Sequence, residues 1–350
     1  MGDPRRNRND QDPKGDARPL ALALGDPAGI GAEVTLKALA ALQRQAIPVV
    51  LVGCRRWMDT HYQALRLCSD APLADPADFA WLDHPLATSR TSITPGEINA
   101  ASGAASFAWL TAATELVLEG RCRALVTAPI AKSAWHAAGH PYPGQTERLA
   151  ELAGVRRASM LFTARPPWGR PGDWRLTTLL ATTHIPLANV PGALSPELIA
   201  HNLDVLLQFC RRFRARPRLA IAGLNPQAGE GGQLGREEND WITDTVDRWR
   251  QQHQDVTLEG PLPPDTCWLE AGAAWQDSNR SAADGFLALD HDQGLLPMKL
   301  LALDAAVNTT LGLPFLRSSP DHGTGQAIAG RGVARGTSMA AAIETAWELG

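Results

Sequence analysis

Short, nearly unbroken apolar runs alternate with longer amphipathic stretches from Pro19 onward. Pro19 to Leu24 is the first such run. It stops at Gly25-Asp26-Pro27-Ala28-Gly29-Ile30-Gly31, after which Ala32 to Leu42 takes up helical spacing. That sequence reads as a strand, a glycine-rich turn and a helix. Pro48 to Gly53 predicts a second strand and Arg55 to Leu67 a second helix; residues 70–96 are loop-rich. Ile98 to Glu119 predicts a long helix of small and apolar residues, followed by a strand at Arg123 to Thr127. Further strands are expected at 158–163, 176–182, 218–223 and 285–289, each with a turn signal and a helical segment behind it. The Pro- and Gly-rich stretch 165–174 reads as a loop or hairpin tip. Strands alternating with helices of about ten or more residues predict a doubly wound α/β architecture with a largely parallel sheet.

In such folds ligands collect at the carboxyl ends of the strands. Polar clusters stand at those places here: Gly25-Asp26-Pro27, Ala128-Pro129-Ile130-Ala131-Lys132, Thr183-His184-Ile185-Pro186, Leu224-Asn225-Pro226-Gln227-Ala228-Gly229-Glu230 and Asp290-His291-Asp292-Gln293-Gly294. The first loop spaces its glycines as G-x-x-x-G-x-G, not as the G-x-G-x-x-G of a dinucleotide fingerprint. It is either a tight strand-to-helix turn or an anion site at the helix N-terminus. A lone histidine behind a strand is ordinarily structural. Two of them, His184 and His291, with Asp265, Asp290 and Asp292 available, raise the prospect of a divalent metal. The sequence leaves open whether the two histidines meet. Lys299, Asn308 and Arg317 could cradle a phosphate or carboxylate, or could be unrelated surface positions.

Composition narrows the class. Apolar residues make up 44% of the 350 and charged residues 20%, which excludes disorder, collagen and coiled coil. Lys and Arg number 33 against 37 Asp and Glu, a net charge of -4, so there is no broad pull toward nucleic acid or anionic lipid. No apolar run approaches the ~18–20 residues of a membrane span. Residues 1–18 lack the apolar core of a signal peptide and are expected to be a disordered tail. Five widely spaced cysteines without a C-x-x-C predict free thiols in a cytoplasmic protein. Only four of the 33 basic residues are lysines: 14, 37, 132 and 299. A lysine in the body of this fold is therefore suspect for chemistry that a guanidinium cannot do, which marks Lys132 and Lys299.

Ten segments together resemble one family. They are Gly25 to Gly31, Gly144-Gln145-Thr146-Glu147, Thr183-His184-Ile185-Pro186-Leu187, Gly223-Leu224-Asn225-Pro226, Ala228-Gly229-Glu230-Gly231-Gly232, Gly235-Arg236-Glu237-Glu238, Gly260-Pro261-Leu262-Pro263, Asp265-Thr266, His291-Asp292-Gln293-Gly294 and Asp321-His322-Gly323-Thr324. In order, over roughly residues 20–345, the chain resembles the 4-hydroxythreonine-4-phosphate dehydrogenases of vitamin B6 biosynthesis. The resemblance implies an isocitrate/isopropylmalate dehydrogenase-like fold of two α/β subdomains with the active site in the cleft between them. The first would comprise 19–128 with 300–350, and the second 129–299. It also implies a homodimer that oxidises 4-phosphohydroxy-L-threonine with NAD or NADP, followed by decarboxylation.

By the same resemblance Gln145, Thr146, Lys299, Asn308 and Arg317 bind substrate. His184, Gln227 and His291 occupy the positions of three metal ligands, for Zn, Mg, Mn or Co. Asp265 is the candidate catalytic base or an orienter of the ligands. His322, Gly323, Thr324, Ile328 and Gly330 lie on the cofactor side, within a loop from Asp321 to Gly332. Two positions depart from the family: Gln227 stands where it has a ligating histidine, and Gln145 where it has a substrate-binding one. Both swaps keep polarity and remove basicity. Three alternatives follow: a paralogue oxidising another four-carbon acid phosphate, such as a phosphothreonate or phosphoerythronate; a non-catalytic phosphometabolite-binding protein; and an acyl-phosphate transferase on a related fold, which would have no use for His184 and His291.

Overall fold

The computed structural model of the chain describes residues 16–86 and 93–350. It divides into two compact units: the first runs to Ala153 and resumes at Pro314–Gly350, and the second is Gly154–Leu313. These divisions fall later in the chain than the expected 128/129 and 299/300.

The first unit begins with β1 (Leu20–Ala23), α1 (Gly31–Ala41), β2 (Val49–Gly53), α2 (Arg55–Leu65), β3 (Ala80–Asp83), α3 (Ala100–Leu118), β4 (Ala124–Thr127), α4 (Lys132–Ala137) and α5 (Gln145–Leu152). The second contains β5 (Ser159–Ala164), β6 (Leu176–Leu180), α6 (Val190–Ala193), α7 (Pro196–Cys210), β7 (Arg218–Ala222), α8 (Thr243–Gln252), β8 (Thr257–Leu262), α9 (Leu269–Gln276), β9 (Gly285–Ala288), α10 (His291–Ala302) and β10 (Val307–Leu311). The chain then returns to the first unit with β11 (Leu316–Pro320) and α11 (Thr337–Leu349).

The first unit's strands run β3-β2-β1-β4-β11, every pair parallel. β1 is buried at all four positions, as expected of a strand covered on both faces. α3 starts at an Asn99 cap that shares a reciprocal capping box with Ser102. It also buries residues on more than one face, including Trp109 and Leu110.

In the second unit the order is β10-β5-β6-β9-β7-β8. β5 pairs antiparallel with both β10 and β6, while β6, β9, β7 and β8 are parallel. Stretch 165–174 is thus a hairpin tip, and β5 breaks the expected strand-then-helix alternation. Its core sets small strand residues (Ala220, Ala222, Ala288) against Trp174, Trp268, Trp275 and Phe286.

Three strands escape the sequence pattern: β3, inside the loop-rich stretch 70–96; β8; and β10. The strand-like run at Arg317 is β11. Of the expected tail 1–18, residues 1–15 lie outside the described residues. Asp16 and Arg18 are a correction: Arg18 donates to the Gly120 carbonyl at 2.9 Å, and Arg123 to that of Asp16 at 2.7 Å. All five cysteines are free. Among the described residues no helix is long and apolar enough to cross a membrane.

Candidate active site

In the second unit a cavity of ≈ 930 Å³ is lined by residues that follow β6, β7, β8 and β9, among them His184, Gln227, Asp265 and His291. The strand-end rule places ligands there. The two histidines do meet, with ring centroids 5.2 Å apart. With metal–nitrogen bonds of about 2.0–2.1 Å and ring centres about 1.1 Å beyond the nitrogens, two imidazoles on one tetrahedral ion sit about 5.2 Å apart. The separation is compatible with a shared divalent cation. His291 is the first residue of α10, whose N-cap Asp290 accepts the Gln293 N–H at 3.0 Å. The Gln293 amide accepts the Leu289 N–H at 2.6 Å and donates to the Gly223 carbonyl at 2.8 Å, tying the ends of β9 and β7 together. His291 Nδ1 is 2.8 Å from the Asp292 carboxylate. A proton on Nδ1 leaves the Nε2 lone pair for a ligand.

Gln227 opens an unusual turn. Residues 227 to 231 are all left-handed, with φ of 51, 50, 81, 43 and 67°. Left-handed residues normally occur singly, because each L side chain there costs about 1–2 kcal/mol. The buried Glu238 carboxylate holds the entry to the turn. It accepts the N–H groups of Leu224 and Asn225 and the Asn225 side-chain amide, each at 2.8 Å. Among the described residues no third His, Cys, Asp or Glu completes a metal-binding group. Gln227 lines the same cavity as the two histidines. Asp265 is exposed on the cavity wall.

Two further groups of candidates lie in the first unit. Arg317, on β11, is buried, and burial lowers its pKa to about 10. Its guanidinium donates to Thr127 Oγ1 at 3.0 and 2.6 Å and to Gln145 Oε1 at 3.1 Å. The same Gln145 amide donates to the Ala128 carbonyl at 3.2 Å. Gln145 thus uses its donor and acceptor ends together, and Thr146 follows it on α5. Lys299, exposed on α10, and Asn308, on β10, belong to the second unit.

The Gly25–Gly31 loop behaves as a tight turn. Asp26 accepts the Ala28 N–H at 2.9 Å with its own side chain, and Ile30 N–H donates to the Thr324 carbonyl at 2.9 Å. These contacts use donors that an anion would need. Burial pushes the Asp26 carboxyl up, against hydrogen bonds from Ala28, Ser102 and Ala131. Thr324 belongs to the loop expected to face the cofactor. In that loop His322 Nε2 is buried without a hydrogen-bond partner among the described residues, and a Cβ added at Gly323 would meet nothing within 4 Å. An orphaned ring nitrogen beside an open backbone suits a bound dinucleotide.

No local pattern marks Glu238 as a support or Lys37 as a buried cation; the one signal for Lys37 is that Glu33 and Lys37 are the only charges in α1.

Fold and site together define a two-unit α/β protein with a histidine-lined ligand cavity at the carboxyl ends of its strands. The family model described as pyridoxal phosphate biosynthetic protein PdxA matches residues 43–346. A protein of Synechococcus sp. (strain RCC307) named 4-hydroxythreonine-4-phosphate dehydrogenase is 63% identical, covering 95% of this chain and 99% of the relative. One of the same name from Synechocystis sp. (strain ATCC 27184 / PCC 6803 / Kazusa) is 50% identical over 94% and 95%. The crystal structure of the Klebsiella pneumoniae 4-hydroxythreonine-4-phosphate dehydrogenase superposes with a TM-score of 0.77 at 34% identity, over 95% of this chain and 99% of that one. The chain belongs to the PdxA family of vitamin B6 biosynthesis. It is an oxidoreductase, a dehydrogenase.

Proposed function

We propose that the chain oxidises the C3 hydroxyl of 4-phosphohydroxy-L-threonine, with NAD or NADP accepting the hydride. The product, 2-amino-3-oxo-4-phosphooxybutanoate, is a β-keto acid and loses its carboxyl group as carbon dioxide to give 3-amino-2-oxopropyl phosphate. The observation that carries this reading is the His184–His291 pair sharing one cavity with Gln227 and Asp265, in a chain 63% identical to a protein of that name.

His184, His291 and the Gln227 amide oxygen would hold a divalent ion (Zn, Mg, Mn or Co), which when bound would acidify the substrate hydroxyl and stabilise the negative charge left by decarboxylation. Asp265 accepts the hydroxyl proton as general base. By the family resemblance, Arg317, Gln145 and Thr146 of the first unit and Lys299 and Asn308 of the second are the substrate-binding residues, the cations among them suited to the phosphate. His322, Gly323, Thr324, Ile328 and Gly330 receive the dinucleotide. The active enzyme is a homodimer in the cytoplasm. Leu296, Leu300 and Leu303 support the dimer: they stand at helical spacing with exposures of 63, 83 and 58%, with Leu296 and Leu300 also at the rim of the histidine cavity.

The test is formation of reduced nicotinamide, followed by absorbance, from 4-phosphohydroxy-L-threonine, a threonate 4-phosphate and an erythronate 4-phosphate, with each metal and each nucleotide. Turnover fastest on the amino acid phosphate is expected. Preference for a phosphorylated sugar acid would move the chain to the paralogue reading, which Gln145 and Gln227 favour, and binding without turnover would leave only a phosphometabolite-binding protein.

A further inference from the structure

The loop assigned to the cofactor is gripped at two places, by the N-cap residue of α1 and by α1 itself. Near its start the Ile30 N–H donates to the Thr324 carbonyl. Beyond its far end, the backbone from Gly332 to Ala334 is bound by Glu33 and Lys37. Lys37 Nζ donates to Asp70 Oδ1 at 2.6 Å and to the carbonyls of Gly332 and Ala334, each at 2.8 Å. Glu33 Oε1 lies 3.1 Å from the same ammonium and accepts the Ala334 N–H at 2.7 Å. Both residues are buried, at 0% and 6% exposure. The backbone leaves no slack. Gly332 has φ +74°, and a Cβ there would stand 2.5 Å from the Cys68 carbonyl oxygen; a Cβ at Gly336 would stand 2.8 Å from Lys37 Cβ.

The choice of lysine is chemical. An ammonium spreads three N–H bonds tetrahedrally, which matches two carbonyls and a carboxylate converging from different directions; a guanidinium is a planar fork. This chain writes all but four of its 33 basic residues as arginine, yet places an ammonium here. A buried pair of charges is a poor source of net stability, and its best-attested use is to fix one arrangement among several.

We infer that the Glu33–Lys37 pair positions the cofactor loop: Lys37 fixes the backbone at 332–334, and with the Thr324 anchor this sets how Ile328 and Gly330, between the two, meet the dinucleotide. Lys37 acts through the loop and is a positioning residue. The inference rests on the reading of 322–330 as the cofactor segment.

The experiment measures the Kd of reduced NAD and NADP by fluorescence, and KM and kcat for both substrates, in the full-length enzyme carrying Lys37→Met, Lys37→Arg, Asp70→Asn or Ile328→Ala. Lys37→Met should raise the cofactor Kd and KM at least tenfold while KM for the phosphorylated substrate stays within twofold. Lys37→Arg should fail to restore it. Asp70→Asn, at a carboxylate 57% exposed, keeps the fold if the Lys37 variants lose it, and should raise the cofactor Kd about threefold. A cofactor Kd unchanged in the Lys37 or Asp70 variants but raised in Ile328→Ala overturns the positioning role and leaves the cofactor reading intact. A Kd unchanged in all four, Ile328→Ala included, overturns the cofactor reading itself. Equal rises in KM for cofactor and phosphorylated substrate would show a general structural role and also overturn the inference.

Discussion

At the scale of single residues, charge is placed where water is scarce. Arg317 is buried with its guanidinium against Thr127 and Gln145. Removing it should cost the phosphate a charge-assisted contact of about 1.5–3 kcal/mol. Arg317→Ala should therefore raise KM for the phosphorylated substrate about tenfold or more, and initial rates that gave a KM within twofold of the parent would remove Arg317 from the phosphate site. Gln227→His restores a nitrogen donor beside the histidine pair and should tighten zinc binding in isothermal titration; equal affinities would show that residue 227 does not face the ion.

His61 is a third case. It stacks on Trp57 with centroids 4.9 Å apart and planes 12° from parallel, and burial lowers its pKa from 6.5 to about 4. Between those values the unfolded chain binds a proton that the folded chain excludes, so stability falls as pH drops from about 6.5 to about 4, by about 3 kcal/mol in all. His61→Phe keeps the stack and should flatten that slope in urea titrations run at several pH values. Two histidines behind separate strands stand out in the sequence, which leaves open whether they meet; the structure brings His184 and His291 together. Lys37 does not stand out, since nothing local says that the carbonyls of Gly332 and Ala334 come back to it.

At the scale of elements, the sequence revealed strands where apolar runs were continuous and hid them where they were not. β1, β2 and β4 are buried on both faces and read plainly. β3 is exposed at both ends and only half-buried between them, and β10 and β11 carry Asn, Thr, Arg and Ser within the sheet. Buried Thr309, Thr310, Ser318 and Ser319 break the continuous apolar run that marks a strand. The left-handed run at 227–231 was equally unreadable: glycines at 229, 231 and 232 permit it, but Gln227, Ala228 and Glu230 adopt it only because surrounding contacts compel them. Glu238 anchors the entry to the turn by accepting the N–H groups of Leu224 and Asn225. Glu238→Ala strands the backbone N–H groups of Leu224 and Asn225, while the Asn225 amide keeps Glu237, and should destabilise the fold by about 3 kcal/mol, with a matching fall in the urea midpoint. An unchanged midpoint would show that the turn supports itself.

At the scale of the whole molecule, the α/β class and the two-unit plan were legible, while the places of division were not. The expected breaks sat at functional motifs, whereas the chain changes units at Ala153/Gly154 and Leu313/Pro314, beyond α5 and β10. Assembly belongs to this scale too. Leu300→Asp puts a charge into the proposed dimer face and should shift the particle from dimer to monomer in light scattering at micromolar concentration; a parent protein already at 37.5 kDa would end the proposal. The return of the chain to its first unit also has a consequence for synthesis. The second unit is contiguous and complete once Leu313 has left the ribosome. The first must wait, because β4 lacks β11 beside it and Lys37 lacks both of its carbonyls until residues 316–334 emerge. A nascent chain halted before Pro314 would carry a finished second unit behind a first one with an open sheet edge, ready to pair with a stranger.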